Sequence, residues 1–368
     1  MTQLRVGYVG VEHHHRDPYF SIAEELPVEI TAVCEPGKEI EPDDLRPMAD
    51  RPDEITSGGT AAIEVADRAA FYADPDALID DADLDLVWIT YSNAATPAIV
   101  ESAVNAGLDV ISEKPIARTA GDLEAIAMMA DDADVSVVPT YFYRGNPIVN
   151  DLRTHVADGF FGDLWAIQGR FIGSKLTYRD TDHYIYDATE SRGGVLQWIG
   201  VHWLDMMMYV LDEPFSRVNA TMHDAADTDT EEGAALQFET DSGTMGTFHS
   251  GYYLDGTGKD TDLSLYGTDG QAWTPVHHDA TVESSTAPLE LLSGRDSWAA
   301  APRQTMEYEF AYESFPAWGD YVYTFFERAI DGLAEGNPPA DVHDAIRVLD
   351  VLDAAYESAE TDGWVRVG

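Results

Sequence analysis

The sequence predicts two architectures in succession: an α/β doubly wound parallel sheet over residues 1–145, then an α+β domain built on an open antiparallel sheet over residues 146–368. Two observations carry this. Up to about residue 140, short runs apolar on both faces alternate with stretches of helical spacing, as parallel strands buried under helices do. Beyond about residue 150, strands alternate apolar and polar residues, with turn signals at Asp241-Ser242-Gly243 and Asp269-Gly270.

The elements follow in order. Leu4 to Gly10 is a buried strand running into a turn, Pro18 to Leu26 has helical spacing, and Val28 to Cys34 is a second strand ending at Glu35-Pro36-Gly37. These make a βαβ unit with a short crossover. Pro36 to about Thr60 is rich in Pro, Asp and Gly and reads as an irregular acidic excursion. Alternation resumes with a brief strand at Ala69 to Tyr72, a helix opened by Asp74-Pro75-Asp76, an apolar strand from Leu84 to Thr90 and a helix from Thr96 to Ala106. The strand Leu108 to Ser112, a helix from Thr119 to Met129 and the strand Val135 to Thr140 complete the set. After a helix at Pro147 to Asp158, strands are expected at Trp165–Phe171, Ser216–Met222, Gly233–Glu239, Thr244–Tyr253 and Thr261–Tyr266. Trp318 to Leu333 and Val342 to Glu357 are amphipathic helices.

The formal charge is −47, from 68 acidic and 21 basic side chains, yet 45% of the 368 residues are hydrophobic. Eighteen Tyr, thirteen Phe and eight Trp supply a large core, so the charge reads as an acidic coat and not as disorder. Such a coat, with only four lysines, suits a proteome adapted to high salt, as in halophilic archaea. It excludes nucleic acid and anionic membrane surfaces, which need clustered Lys and Arg. Cys34 stands alone, the N-terminus runs straight into a strand pattern, and no apolar run nears the ~18 residues of a membrane span. A cytoplasmic protein is expected. An antiparallel sheet with one uncovered face invites a homodimer or homotetramer.

Four loops meet beyond the carboxyl ends of the parallel strands, where open α/β sheets bind ligands: Gly10 to Arg16, Glu35-Pro36, Thr90 to Asn93, and Glu113-Lys114-Pro115. Glu35 stands where an acid accepts from an adenosine ribose diol, which favours NAD over NADP, with Lys38 nearby. Of the three small residues of a dinucleotide fingerprint, only Gly10 is present; Glu12 would bring a negative charge to the pyrophosphate. Val11, His13, His14 and His15 line this loop, and imidazoles can donate to phosphate oxygens. No metal site is expected of the three histidines, because adjacent residues on an extended chain point in opposite directions. Lys114, one of four lysines, sits at a strand's end beside Pro115. Further on, Gly193-Gly194 opens an apolar helix carrying His202 and Asp205. Read alone, His202 is a packed core histidine before it is a catalyst, and Asp205 a residue that fixes the helix.

In order, these motifs resemble the glucose–fructose oxidoreductase and inositol dehydrogenase family: Gly10 after the first strand, the acid after the second, Glu113-Lys114-Pro115, Gly193-Gly194 with Gly200-x-His202-x-x-Asp205, and the closing Asn337-Pro338-Pro339 to Ala359 pattern. The resemblance spans nearly the whole chain. It implies a Rossmann domain holding NAD(P), a carbohydrate or polyol substrate, and final helices that pack back towards the first domain. It further implies that Lys114 orients the reacting hydroxyl, that Glu113 seats the nicotinamide ribose and that His202 transfers the proton. Tyr91, Ser92 and Asn93 would lie along the cofactor. Tyr143, Arg144, His183 and Tyr184 would face the substrate. Two departures stand out: the family's Asp four residues before the histidine is Trp198 here, and the glycine fingerprint is incomplete. Trp198 would offer a stacking face to a sugar ring. The departures leave open an NAD-retaining lyase or glycoside-cleaving enzyme, or a non-catalytic ligand-binding or partner subunit, on the same scaffold.

Overall fold

Strand β1 (Leu4–Val9) lies inside a six-stranded parallel sheet, and its inner residues Val6, Tyr8 and Val9 are wholly buried. In chain order there follow α1 (Arg16–Glu25), β2 (Val28–Cys34), α2 (Gly59–Arg68), β3 (Ala70–Tyr72), α3 (Pro75–Asp81), β4 (Leu86–Ile89), α4 (Thr96–Asn105), β5 (Asp109–Ser112), α5 (Glu124–Ala133) and β6 (Val137–Pro139). The computed structural model describes residues 3–45, 59–174, 184–224, 229–254, 258–277, 286–310 and 320–368. The chain divides into two compact units, the first of residues 1–117, 121–142 and 311–346, the second of 118–120, 143–310 and 347–368.

The first sheet has the order β3-β2-β1-β4-β5-β6, so the winding reverses between β1 and β4. At such a switch point the flanking loops splay and leave room for a ligand. Pro75 and Asp74 start α3, with the Asp74 carboxylate accepting the Asp76 N–H at 3.1 Å. An aromatic core fills one side of the sheet: Trp88 lies 5.3 Å from Tyr19 and 4.7 Å from Phe326, centroid to centroid. Phe326 comes from α9 (Tyr321–Glu335), near the chain's end, which belongs to this unit.

The second unit begins with Tyr143 and contains α6 (Pro147–Ala157), β7 (Leu164–Ser174), a single turn α7 (Ala188–Ser191), α8 (Val201–Leu211), β8 (Phe215–Asp224), β9 (Glu231–Thr240), β10 (Met245–Leu254), β11 (Lys259–Gly267), β12 (Gly270–Thr274), β13 (Thr286–Ser293) and β14 (Arg303–Glu309). Helix α10 (Val342–Thr361) and β15 (Val365–Arg366) finish the chain. The sheet has nine strands in the order β14-β13-β12-β11-β7-β10-β9-β8-β15, antiparallel except for the β7–β10 pair. Residues Ile167, Gly169, Phe171 and Gly173 of β7 are buried while their neighbours are not, the alternation of a sheet covered on one face. Trp203 of α8 stacks on Phe248 of β10 at 5.8 Å. Trp165, Met245, Tyr266 and Trp273 are exposed on the same sheet.

The structure adds what the periodicity did not announce. Helix α2 begins where the stretch expected to be irregular ends, with no helix anticipated there, and β12, β13 and β14 extend the antiparallel sheet beyond the strands anticipated. The helix expected from Thr119 begins at Glu124, after a short 3-10 turn at Ala120–Asp122.

Candidate active site

The parallel unit delivers four strand ends to one edge. Gly10 leaves β1 with φ of +94°, and a Cβ there would stand 2.0 Å from the Thr90 carbonyl oxygen, so no other residue fits the approach. The Gly10 N–H donates to Cys34 O (2.9 Å) and the buried Thr90 hydroxyl donates to Gly10 O (2.8 Å), tying the first loop to β2 and β4. Glu35, 6% exposed, takes the Glu12 N–H on Oε2 at 3.0 Å. Burial pushes its carboxyl up to about 7, against the lowering pull of the Glu12 and Val11 backbone N–H groups. The Glu12 side chain turns outward to an ion pair with Lys38.

His13, His14 and His15 converge, with centroids 4.0–4.9 Å apart. The expectation of diverging side chains fails because the segment is turned, not extended: His13 N–H donates to Gly10 O, and His15 N–H to His13 Nδ1 at 3.2 Å. The ligand nitrogens of the three rings all lie within 4.8 Å of one another, close enough to share a metal ion.

Glu113 is the hub of this edge. Its Oε1 meets His15 Nδ1 (2.7 Å) and the Tyr19 hydroxyl, and its Oε2 accepts from Thr140 Oγ1 (3.2 Å) and the Lys114 N–H (3.0 Å). Burial alone would raise this carboxyl. The positive charges of His15, Lys114 and His13, with the His15 hydrogen bond, outweigh it and hold the group well below the usual carboxylate range. Lys114 is 4% exposed and joined to Pro115 by a cis peptide. Asn93 is buried and Tyr91 and Ser92 half-buried just ahead of α4.

The second unit gathers a separate set. Tyr143 is buried, its hydroxyl 2.5 Å from His277 Nε2, and its ring stands edge-on to His202 at 5.5 Å. Burial raises the Tyr143 phenol. Arg144 gives its guanidinium to Asp205, with Nε 3.1 Å from Oδ2 and Nη2 bonded to Oδ1, so Asp205 anchors a neighbouring arginine as well as its helix. Trp198 lies one turn ahead of His202, in a π turn (Leu196–Gly200) whose Val201 N–H reaches back to Leu196 O. Its ring is 6.5 Å from that of Tyr252. Glu231 closes the start of this helical segment, accepting N–H groups from Gly194 (2.7 Å) and Leu196 (2.9 Å) and the Tyr356 hydroxyl (3.0 Å). Any Cβ on Gly194 would lie 2.0 Å from Glu231 O, which explains the glycine.

Tyr184 opens a single 3-10 turn with Ile185 and Tyr186, and His183 lies outside the described residues. Sequence reasoning missed His277 and Glu231. His277 reaches Tyr143 from 134 positions away, and Glu231 stands in an acidic run among 68 acids, so neither had a local signal.

Residues 51–141 match the family model described as an oxidoreductase family with an NAD-binding Rossmann fold, and residues 149–273 match the GFO/IDH/MocA C-terminal domain. The chain belongs to the Gfo/Idh/MocA family of oxidoreductases. Among curated relatives it is 26% identical to D-xylose 1-dehydrogenase (NADP(+)) 2 of Haloferax volcanii over 304 residues, covering 80% of this chain and 84% of that one. It is 24% identical to the inositol 2-dehydrogenase of Salmonella typhimurium over 370 residues, covering 97% and 95%. Among solved structures, apo levoglucosan dehydrogenase superposes with a TM-score of 0.81 at 18% identity over 100% of this chain and 99% of that one, a likeness of fold.

Proposed function

We propose that the protein is an NAD-dependent dehydrogenase that moves a hydride between nicotinamide and a CH–OH carbon of a sugar or polyol. The observation that carries this reading is Lys114. An ammonium is costly to bury, and a chain with four lysines keeps one 4% exposed at the ligand edge of its parallel sheet. The xylose, inositol and levoglucosan dehydrogenases among the relatives and neighbours support the substrate class.

The loops fit a dinucleotide. The Gly10 cradle is one that a Cβ would fill. The Glu12 carboxylate is paired with Lys38, which offsets the charge conflict that the sequence raised. Glu35 supplies the acceptor for a ribose diol, and the imidazoles of His13 to His15 take the part of the missing glycines as donors towards phosphate. Bound NAD supplies the hydride acceptor. Lys114 holds the substrate oxygen and favours its anionic form, and His202 takes the hydroxyl proton as the C–H bond breaks. In the reverse direction His202 returns that proton to the oxygen.

The acidic coat and the relatives from Haloferax and Haloarcula support a cytoplasmic protein of a salt-adapted proteome. The aromatic residues exposed on the nine-stranded sheet support a homodimer or homotetramer.

Purified in high salt, the protein is expected to bind NAD more tightly than NADP in calorimetry and to reduce NAD with at least one of D-xylose, myo-inositol or levoglucosan. Lys114→Ala should retain its circular dichroism spectrum and NAD binding but lose turnover. His202→Ala should lose about 10²–10⁴ in rate. Undiminished turnover in Lys114→Ala would overturn the assignment.

A further inference from the structure

The loop between β1 and α1 gathers three consecutive imidazoles, and the ligand nitrogens of His13, His14 and His15 all lie within 4.8 Å of one another. Nitrogens bound to one tetrahedral ion stand about 3.4 Å apart, from bonds of about 2.0–2.1 Å, so small rotations of the rings close the set. The backbone is already turned for it: Gly10 O receives the His13 N–H, and His13 O receives the Arg16 N–H at 3.0 Å. His15 is buried, with Nδ1 2.7 Å from Glu113 Oε1. An ionised carboxylate only accepts, so that nitrogen carries the ring proton and the lone pair sits on Nε2. Glu113 is itself held by Thr140 Oγ1 and the Lys114 N–H. The cations flanking the loop are engaged with acids, Arg16 with Asp17 and Lys38 with Glu12.

We propose that His13, His14 and His15 are the ligands of a divalent transition-metal ion of the zinc type, with Glu113 fixing His15 through its other ring nitrogen. Imidazole suits such ions, and it binds them as the neutral ring. A ligating histidine commonly donates its second ring N–H to a carboxylate, which sets the tautomer and raises the basicity of the ligating nitrogen; His15 and Glu113 are so arranged. The contact from the His15 N–H to His13 Nδ1, 3.2 Å, is at the long limit of hydrogen bonding and gives way to a metal bond. Three protein ligands leave a tetrahedral ion one open position for water or an anion. The site stands on the geometry of the loop and not on the dehydrogenase reading. In the metal-free protein the same rings remain the donors towards phosphate proposed above.

The test uses the full-length protein, purified in high salt and stripped of metal with a chelator. Zinc is titrated in competition with a chromophoric chelator, and cobalt(II) is followed by its visible absorption. Excess magnesium is present throughout to occupy the carboxylates of the acidic coat. One equivalent of zinc should bind, and cobalt should develop the intense d–d bands of a four-coordinate site with nitrogen ligands. Outer-shell losses at metal sites cost about 10–100-fold in affinity, so Glu113→Gln should weaken zinc by about tenfold or more. His13→Ala and, independently, His14→Ala should each weaken it about 100-fold or more, with the circular dichroism spectrum retained. Failure of the parent to form a one-to-one zinc complex, or parent-like zinc affinity in both histidine variants, would overturn the proposal. NAD binding and turnover by the metal-free protein, alongside either of those results, would leave the dehydrogenase reading standing. The expected zinc binding without any NAD binding would sink that reading and leave the metal site.

Discussion

The Tyr143 hydroxyl lies 2.5 Å from Nε2 of His277, and the same tyrosine presents its ring edge-on to His202. A loop histidine thus fixes the residue that packs against the proposed proton-transfer group. Tyr143→Phe should remove the hydrogen bond, deprive a buried imidazole nitrogen of this partner and cost about 1–3 kcal/mol in denaturant unfolding. Turnover should fall about tenfold with a displaced pH profile, while NAD affinity holds. A profile superimposable on the parent's would confine Tyr143 to packing.

Gly10→Ala places a methyl group against the Thr90 carbonyl in a backbone conformation that alanine resists. The expected loss is about 2–4 kcal/mol of stability, with weakened NAD binding. Thermal unfolding and calorimetry read both.

Glu35 makes cofactor binding depend on pH. Its folded-state pKa is raised from 4.5 to about 7 by burial, so its contribution to stability is full below 4.5 and lost as pH rises through about 7. The ionised form needed to accept from both ribose hydroxyls gains over that same upper range. NAD affinity should therefore rise severalfold between about pH 6 and pH 8, and Glu35→Gln should flatten the rise. Glu35→Ala should narrow the preference for NAD over NADP. A slope unchanged in Glu35→Gln would place the titrating group elsewhere.

With a formal charge of −47, self-repulsion opposes the folded state at low ionic strength. Raising KCl from about 0.2 M to 2 M should increase the melting temperature by about 5–10 °C. Scanning calorimetry across that range decides it.

The parallel unit was legible because β1, β2, β4 and β5 are apolar runs closed by turns, and each strand reveals itself without its neighbours. Helix α2 was not, since it follows directly on a segment dense in Gly, Pro and Asp. Strand β14 carries Arg, Gln, Thr and Glu at an exposed sheet margin, where no alternation is required. The same division holds at the site. Lys114 stood out by rarity, and Glu35 by its distance from Gly10. The Tyr143–His277 and Gly194–Glu231 contacts join residues remote in sequence and exist only once the sheet has formed. The four-residue step from Trp198 to His202 suggests one helical face, but the π turn at Leu196–Gly200 rotates that relation.

The scarcity of amines makes this chain its own labelling experiment. Lys114 is enclosed among Glu113 and its partners, whereas Lys38 and Lys259 lie at the surface. An amine-acylating reagent followed by peptide mass mapping should therefore mark the surface pair early and Lys114 late. The lag of that one peptide would time the exposure of the strand end proposed as catalytic, without an introduced dye, spin label or isotope.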